Sequence, residues 1–367
     1  MPLVAEKRRK PLRAALSSAW QSAACLLLLL SACAIPGSVR PTVKIGLVAP
    51  FEGRYRYVGY DLFPALRWAV QEANASAAVT GYAVEWVAYD DAALAELALQ
   101  QAAKLAVDPE VVVVIGHFRE ETTQAAAGYY EQVGLPLLAP TLFSSDCATG
   151  DGVVFPLGPP VSALAAELLY GVETAALVGD GGSLAAALPA LAEQRGVRLT
   201  AVLSPHDCDW LEALLADEPP VVICTADPVT AGEVVARLRQ AGWSGEFRGG
   251  PELAAADFAA VGGEAAEGSL LVTPWPLPGG GESEDFAAAY RQVSGGVPPG
   301  PLALPAYEAT RLALDALAAE AAASGSLSRE RVAAVLTRLL AERQRQAPQF
   351  YWYRVGAAGG LAPVLDW

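Results

Sequence analysis

Residues Val111-Val112-Val113-Val114-Ile115-Gly116 form an unbroken β-branched run closed by a glycine. A strand with no polar face is stable only where both faces are covered, in the interior of a sheet flanked by helices. The neighbouring segments supply that setting. Residues 43–50 read as a buried strand broken at Pro50, and residues 62–75 space Leu62, Leu66, Ala69 and Val70 along one helical side. Residues 82–89 alternate as a strand, 92–107 return to helix, and a helix over 121–133 is followed by a strand over 135–139. Strand and helix alternating at this spacing predict a parallel sheet between helices.

The pattern then starts again. Strands are predicted over 174–178, 198–203, 220–224 and 269–273, with helices over 183–194, 210–216 and 229–241 between them. Three late helices follow, over 284–292, 303–323 and 329–343, and the aromatic strand Phe350-Tyr351-Trp352-Tyr353 comes last. A chain of 367 residues is longer than one hydrophobic core usually serves, so two α/β halves are expected. Parallel sheets bind ligands at the carboxyl ends of their strands, and two such halves facing each other make a cleft.

Charge is unevenly placed. Five basic residues (Lys7, Arg8, Arg9, Lys10, Arg13) and one acid (Glu6) precede the apolar run 23–30, which leads into Ser31-Ala32-Cys33. This is the form of an export signal. The eight apolar residues 23–30 would span about 12 Å as a helix, less than half a bilayer core. Leu30-Ser31-Ala32-Cys33 resembles the bacterial lipoprotein signal, which is cut before a cysteine that becomes lipidated; an ordinary secretory signal is the alternative. The divisions expected are a signal peptide over 1–32 and a Pro/Gly tether over 33–42. Removing the leader takes the formal charge from −15 to −19, carried by 20 basic and 39 acidic residues. So acidic a body is a poor partner for nucleic acid or for anionic lipid. Membrane contact is then expected through the lipid anchor only.

Catalytic and metal motifs are scarce. Gly179-Asp180-Gly181-Gly182-Ser183 fits neither the P-loop nor the dinucleotide fingerprint and reads as a tight turn or a ligand-facing loop. His206, Asp207, Cys208 and Asp209 match no zinc spacing, and no Gly-x-Ser-x-Gly elbow is present. His117 reads as a hydrogen-bonded strand-end residue. No metal, cofactor or enzymatic activity is expected. Cys224 lies in an apolar strand as a small hydrophobe. Cys147 and Cys208 both sit in polar loops, and export permits a disulfide between them.

Several stretches, in order, give the chain a family likeness: Val43-Lys44-Ile45-Gly46, Tyr89-Asp90-Asp91-Ala92, Val114-Ile115-Gly116-His117 and Thr122-Thr123-Gln124. Leu138-Ala139-Pro140-Thr141, Gly250-Pro251-Glu252 and Ala265-Ala266-Glu267-Gly268 continue the series. Over nearly all of 43–367 the sequence resembles the leucine/isoleucine/valine-binding family of solute-binding lipoproteins, of the type I periplasmic binding protein fold. The resemblance implies two Rossmann-like lobes with parallel central sheets, hinged around a cleft and joined by three crossings. Lobe one would take 43–157 and 276–343, and lobe two 158–275 and 344–367.

The resemblance also implies site residues. Glu252 matches the family's acidic partner for a ligand ammonium. Glu120, followed by Glu121, stands where a serine usually receives the ligand carboxylate. Thr141, Leu142 and Phe143 replace the usual alanines and threonine, with Phe143 able to form an apolar wall. Asp227 stands where a tyrosine is common, and Tyr57 is placed to replace an aromatic lost at Val58. Ser183 is nearest to another missing tyrosine. These departures make an acid-rich cleft, suited to a cationic, amine-bearing or amide solute more than to a simple neutral amino acid. A counter-charge for Glu120 is available from Arg119, Arg54 or Arg56. The implied role is the extracytoplasmic solute-binding subunit of an ATP-driven importer, a monomer that meets a small polar solute and a membrane permease. A sensor subunit acting with a separate receptor is the first alternative, and an enzyme on the same scaffold the second.

Overall fold

In the computed structural model, which describes residues 40–141, 143, 152–277, 284–343 and 348–364, the β-branched run is an interior strand. Strands β1 (Thr42–Ala49), β2 (Ala83–Asp90), β3 (Val111–Gly116), β4 (Leu137–Ala139) and β5 (Val154–Pro156) form one sheet in the order β2-β1-β3-β4-β5. Every pairing in it is parallel, and all six residues of β3 are buried. Helix Arg56–Ala75 begins well before the apolar periodicity does. Its first turn carries exposed Arg56 and Tyr57, which packs half-buried at the edge of the core, so fully buried positions start only at Val58.

The second sheet contains β6 (Thr174–Val178), β7 (Arg198–Leu203), β8 (Val221–Cys224), β9 (Glu246–Gly249), β10 (Leu270–Thr273), β11 (Tyr351–Val355) and β12 (Leu361–Pro363). Its order is β12-β11-β10-β9-β8-β6-β7, antiparallel only at β10–β11 and β11–β12. The chain passes between the sheets three times: after β5, after β10 and before β11. The late helices pack with the first sheet. Leu312, Leu317 and Leu336 share a core with Ile45, Leu62 and Val113. Asp61, on helix Arg56–Ala75, fastens one of them by accepting hydrogen bonds from the backbone N–H groups of Gly300 and Leu302, each at 3.0 Å. Trp275, at the second crossing, packs against both main cores.

Gly116 closes β3 at φ +139°, and a Cβ there would lie 2.2 Å from the carbonyl oxygen of Val48 on β1. Neither backbone can yield without parting the central strand pair. Gly116→Ala is expected to cost about 3 kcal/mol or more, from strain and overpacking together. It should appear as a lowered urea midpoint at unchanged slope. A loss under about 1 kcal/mol would show that β1 and β3 can separate cheaply.

Candidate ligand-binding cleft

Strand order reverses once in each sheet, between β1 and β3 and between β6 and β8. Loops leaving the carboxyl ends at such points diverge and leave a crevice. Here they converge on one space. Tyr55 and Tyr57 follow β1, Phe118 to Glu121 follow β3, and Thr141 follows β4. Asp180 to Ser183 follow β6, Thr225 to Asp227 follow β8, and Glu252 follows β9. The space measures about 80 Å³, and Tyr57, Phe118, Thr141 and Glu252 also line a second of about 40 Å³ beside Trp275, Pro301 and Leu302.

Several contacts cross the crevice. Arg54, after β1, donates to Thr230 Oγ1 at 3.1 Å and lies 3.3 Å from Asp227 Oδ2, both beyond β8. Arg56 pairs with Asp257 at 2.5 Å. A Cβ placed on Gly182 would lie 2.8 Å from Glu121 Oε1, so the loop after β6 rests against helix Glu120–Val133.

The acids of the cleft are not equivalent. Asp227 caps helix Pro228–Gln240, accepting from the N–H groups of Val229 (3.0 Å) and Thr230 (3.1 Å) and from Thr230 Oγ1 (2.6 Å). With Arg54 added, its carboxylate is committed to structure. Asp227 thus caps its helix, the usual role of an aspartate just before one, and it also lines the cleft. Glu120 is buried and accepts from Gln124 Nε2 at 3.3 Å. Glu121 lies 3.4 Å from Arg119, whose guanidinium sits over the Tyr55 ring at 4.1 Å. Arg119 pairs with Glu121, Arg54 with Asp227 and Arg56 with Asp257.

Glu252 and Asp180 differ again. Among the described residues, neither has a lysine or arginine nitrogen within ion-pair distance. Burial holds the Glu252 carboxyl above its usual range; Arg119 opposes this, and the charges of Asp180 and Glu121 add to it. Asp180 is raised by partial burial and by Asp227, although its side chain is exposed at the rim. The Tyr57 hydroxyl is pushed well up, chiefly by burial. Two buried polar atoms on the walls, Thr225 Oγ1 and Trp275 Nε1, have no hydrogen-bond partner. The cleft therefore offers two acids without a lysine or arginine in ion-pair reach among the described residues, available to a positive or N–H-rich group. It also offers an indole N–H, a hydroxyl and one guanidinium for an oxygen.

Of the residues expected from sequence, Tyr57, Glu120, Glu121, Thr141, Ser183, Asp227 and Glu252 line this space. Phe143 does not. It forms an isolated parallel bridge with Pro160 and accepts from the N–H of Val161 at 2.8 Å, which ties it to the first crossing and into a separate chamber. Leu142, Cys33 and Cys147 lie outside the described residues, and Cys208 is exposed with a free thiol. His117 is buried behind the wall, with Nδ1 2.7 Å from Asp91 and Nε2 3.3 Å from the Tyr130 hydroxyl. Tyr55, Phe118, Thr225 and Trp275 were missed by sequence reading, and Arg119 entered it only as a counter-charge. All but Tyr55 stand within three residues of a strand's carboxyl end, the one local signal that could have found them. No helix among the described residues is long and apolar enough to cross a membrane.

The sequence model of a family described as periplasmic binding protein matches residues 42–343. A leucine-, isoleucine-, valine-, threonine- and alanine-binding protein of Pseudomonas aeruginosa is 25% identical over 285 residues, which is 73% of this chain and 76% of that protein. The Leu/Ile/Val-binding protein of Escherichia coli is 25% identical over 252 residues, 63% of this chain and 67% of that one. Among solved structures, a leucine binding protein of Thermotoga maritima superimposes with TM-score 0.76 at 20% identity, covering 88% of this chain and 97% of that one. A branched-chain amino acid transporter substrate binding protein of Streptococcus pneumoniae, in complex with isoleucine, gives 0.74 at 19% identity over 88% and 98%. These structures share the two-sheet fold described above.

Proposed function

The chain belongs to the periplasmic binding protein family, and from that premise we propose that it captures a compact amine- or amide-bearing solute and delivers it to an ABC importer. The observation that carries the solute class is Glu252. It is a carboxylate held above its ordinary titration range by burial and without a cationic partner among the described residues. An ammonium or amide N–H placed there supplies the missing partner, and low polarity in the shut cleft strengthens the pair. Neighbouring spaces of about 80 and 40 Å³ favour a small molecule over a peptide.

The solute contacts both walls, and so favours the shut form by its differential affinity. Lobe one, 43–157 with 276–343, would close on lobe two, 158–275 with 344–367. Lipid on Cys33 would keep the monomer near its permease and raise the local concentration. Cys33→Ala should therefore release the exported protein from the membrane fraction; a protein that stays in that fraction is held there by something else.

The solute class is tested by a thermal-shift screen of the protein with its leader removed. The panel holds neutral amino acids, primary amides, polyamines, choline-like cations and simple carboxylates. A ligand at one hundred times its dissociation constant adds about 2.7 kcal/mol of apparent stability, well within reach of the method. Stabilisation by amines or amides is expected. Stabilisation by carboxylates and not by amines would overturn the acid-cleft reading, and stabilisation by leucine or isoleucine alone would give the chain the specificity its relatives are named for.

A further inference from the structure

The edge strand β2 ends at Asp90, and the turn that follows it is strained. Ala92 and Ala93 stand at φ +48° and +58°, a conformation that a residue other than glycine keeps only where its neighbours impose it. Two carboxylates impose it here. Asp90 Oδ1 accepts from the N–H of Ala92 at 2.7 Å and from that of Phe51, in the loop after β1, at 3.1 Å. Asp91 Oδ1 accepts from the N–H of Ala93 at 3.0 Å, and Asp91 Oδ2 lies 2.7 Å from His117 Nδ1. We propose that Asp91 and His117 form a buried positioning pair, in which the imidazole Nδ1–H donates to the carboxylate and so fixes the stretch of cleft wall, residues 118–121, that begins at the next residue.

Burial, geometry and chain order agree. Both side chains are 0% exposed, and away from water a hydrogen bond to a carboxylate is at its strongest. A carboxylate only accepts, which assigns the shared proton to Nδ1. Across the ring, Nε2 lies 3.3 Å from the hydroxyl of Tyr130, on helix Glu120–Val133. That hydroxyl is pushed well up, chiefly by burial and further by the charge of Asp91, so it keeps its proton. The imidazole is thus held from the end of β2 and from the helix at once. Its backbone is held too, because Thr123 Oγ1 donates toward the carbonyl oxygens of His117 at 3.1 Å and Arg119 at 2.8 Å. Ring and backbone are pinned where the chain leaves β3 for the cleft. Phe118, Arg119, Glu120 and Glu121 follow on the cleft wall, and Arg119 comes to rest over the Tyr55 ring at 4.1 Å. The strained turn sets Asp91 where it reaches the imidazole, and strain of this kind gathers around functional sites. The role assigned to the pair rests on the cleft being the binding site.

The chain has two histidines, and His206 is exposed, so ring-nitrogen NMR spectra report His117 beside one internal reference. Nδ1 of His117 should carry a proton. Asp91→Asn turns an amide NH₂ toward the ring and should move that proton to Nε2. His117→Leu should cancel the ring-current shift that Tyr55 imposes on the Arg119 side chain. It should also speed amide exchange at Thr123, whose N–H donates to the Arg119 carbonyl at 3.0 Å. The expected acceleration is about tenfold beyond any change at Val114 in β3, since a lost buried partner loosens its own surroundings first. His117→Asn places an amide N–H near the position of Nδ1–H and gives up Tyr130; it should restore both signals. An unprotonated Nδ1, a tautomer indifferent to Asp91→Asn, an Arg119 shift that survives His117→Leu, equal acceleration at Thr123 and Val114, or no rescue by asparagine would each overturn the pair. Should His117→Leu fail to fold, the ring-nitrogen spectra of wild type and Asp91→Asn and the Arg119 shift in His117→Asn still decide. None of these readouts needs a solute, so the pair and the proposed function can fail separately.

Discussion

Glu252→Gln is expected to move binding and stability in opposite directions. Affinity for an amine-bearing solute should fall by about 2–4 kcal/mol, because a buried partner charge is lost; this is roughly 30- to 1,000-fold in the dissociation constant. Without solute the variant should be the more stable protein above neutral pH. The Glu252 carboxyl is raised in the folded state by burial. Its cost is therefore absent below the unfolded carboxyl range and grows as pH rises through the folded one, since the native state holds the proton longer. Glutamine resembles the protonated acid and carries no such slope. Titration calorimetry near pH 7.5 and urea melts at pH 4, 6 and 8 measure the two effects. Unchanged affinity would remove Glu252 from the site, and parallel stability curves would mean that its carboxylate is solvated after all.

How much could be read in advance varies by element, for physical reasons. Strand β3 was legible because burial on both faces leaves an unbroken β-branched run. Strand β9, Glu246–Gly249, was not, because Glu246 and Arg248 interrupt its apolar pattern. Arg248 is 4% exposed, pairs with Glu246 and donates to the carbonyl oxygens of Leu168 at 3.2 Å and Tyr170 at 2.7 Å. Those acceptors lie some 80 positions away in sequence, so no local window contains the reason that the charge can be buried. The strands β5 and β12 have three residues each, too few for periodicity to register.

The site shows the same division. Position relative to strand ends was readable, but the use of each carboxylate was not. Asp227-Pro228 carries its own capping signal, an aspartate followed by proline at the first helical position, and the structure shows that cap at the edge of the cleft. The stacking of Arg119 on Tyr55 brings together residues that only the β1–β3 pairing makes neighbours. The path of Phe143 is set by its bridge to Pro160. In each case the deciding contact is long-range, and it selects among several roles that the residue type alone allows.

Asp61→Asn is the second large effect expected, and its sign reverses with pH. Asp61 is 7% exposed, and burial pushes its carboxyl up to about 7, with the N–H groups of Leu302 and Gly300 pulling the other way. Below the unfolded value, near 3.9, both states hold the proton and the group adds nothing to the slope. Between there and about 7 the unfolded chain ionises first. Wild-type stability should then fall by up to about 1.4 kcal/mol per pH unit, about 4 kcal/mol in all, and level off above. Asparagine removes that slope but offers one carbonyl oxygen to two N–H groups, at a cost of about 1–3 kcal/mol. The variant should be the weaker protein at pH 4 and should equal or exceed wild type at pH 8, with the urea-derived curves crossing between. A Cβ on Gly300 would stand 2.5 Å from Asp61 Oδ1, so the carboxylate has little room to turn toward water and escape the penalty. Pro301 and Leu302, held by the same contact, bound the smaller space of the cleft. The titration should therefore also appear in solute affinity, as a pH dependence near 7 that Asp61→Asn removes and Glu252→Gln leaves in place. Stability curves that run parallel from pH 4 to 8 would mean that Asp61 ionises at an ordinary pH, with its two N–H bonds outweighing burial.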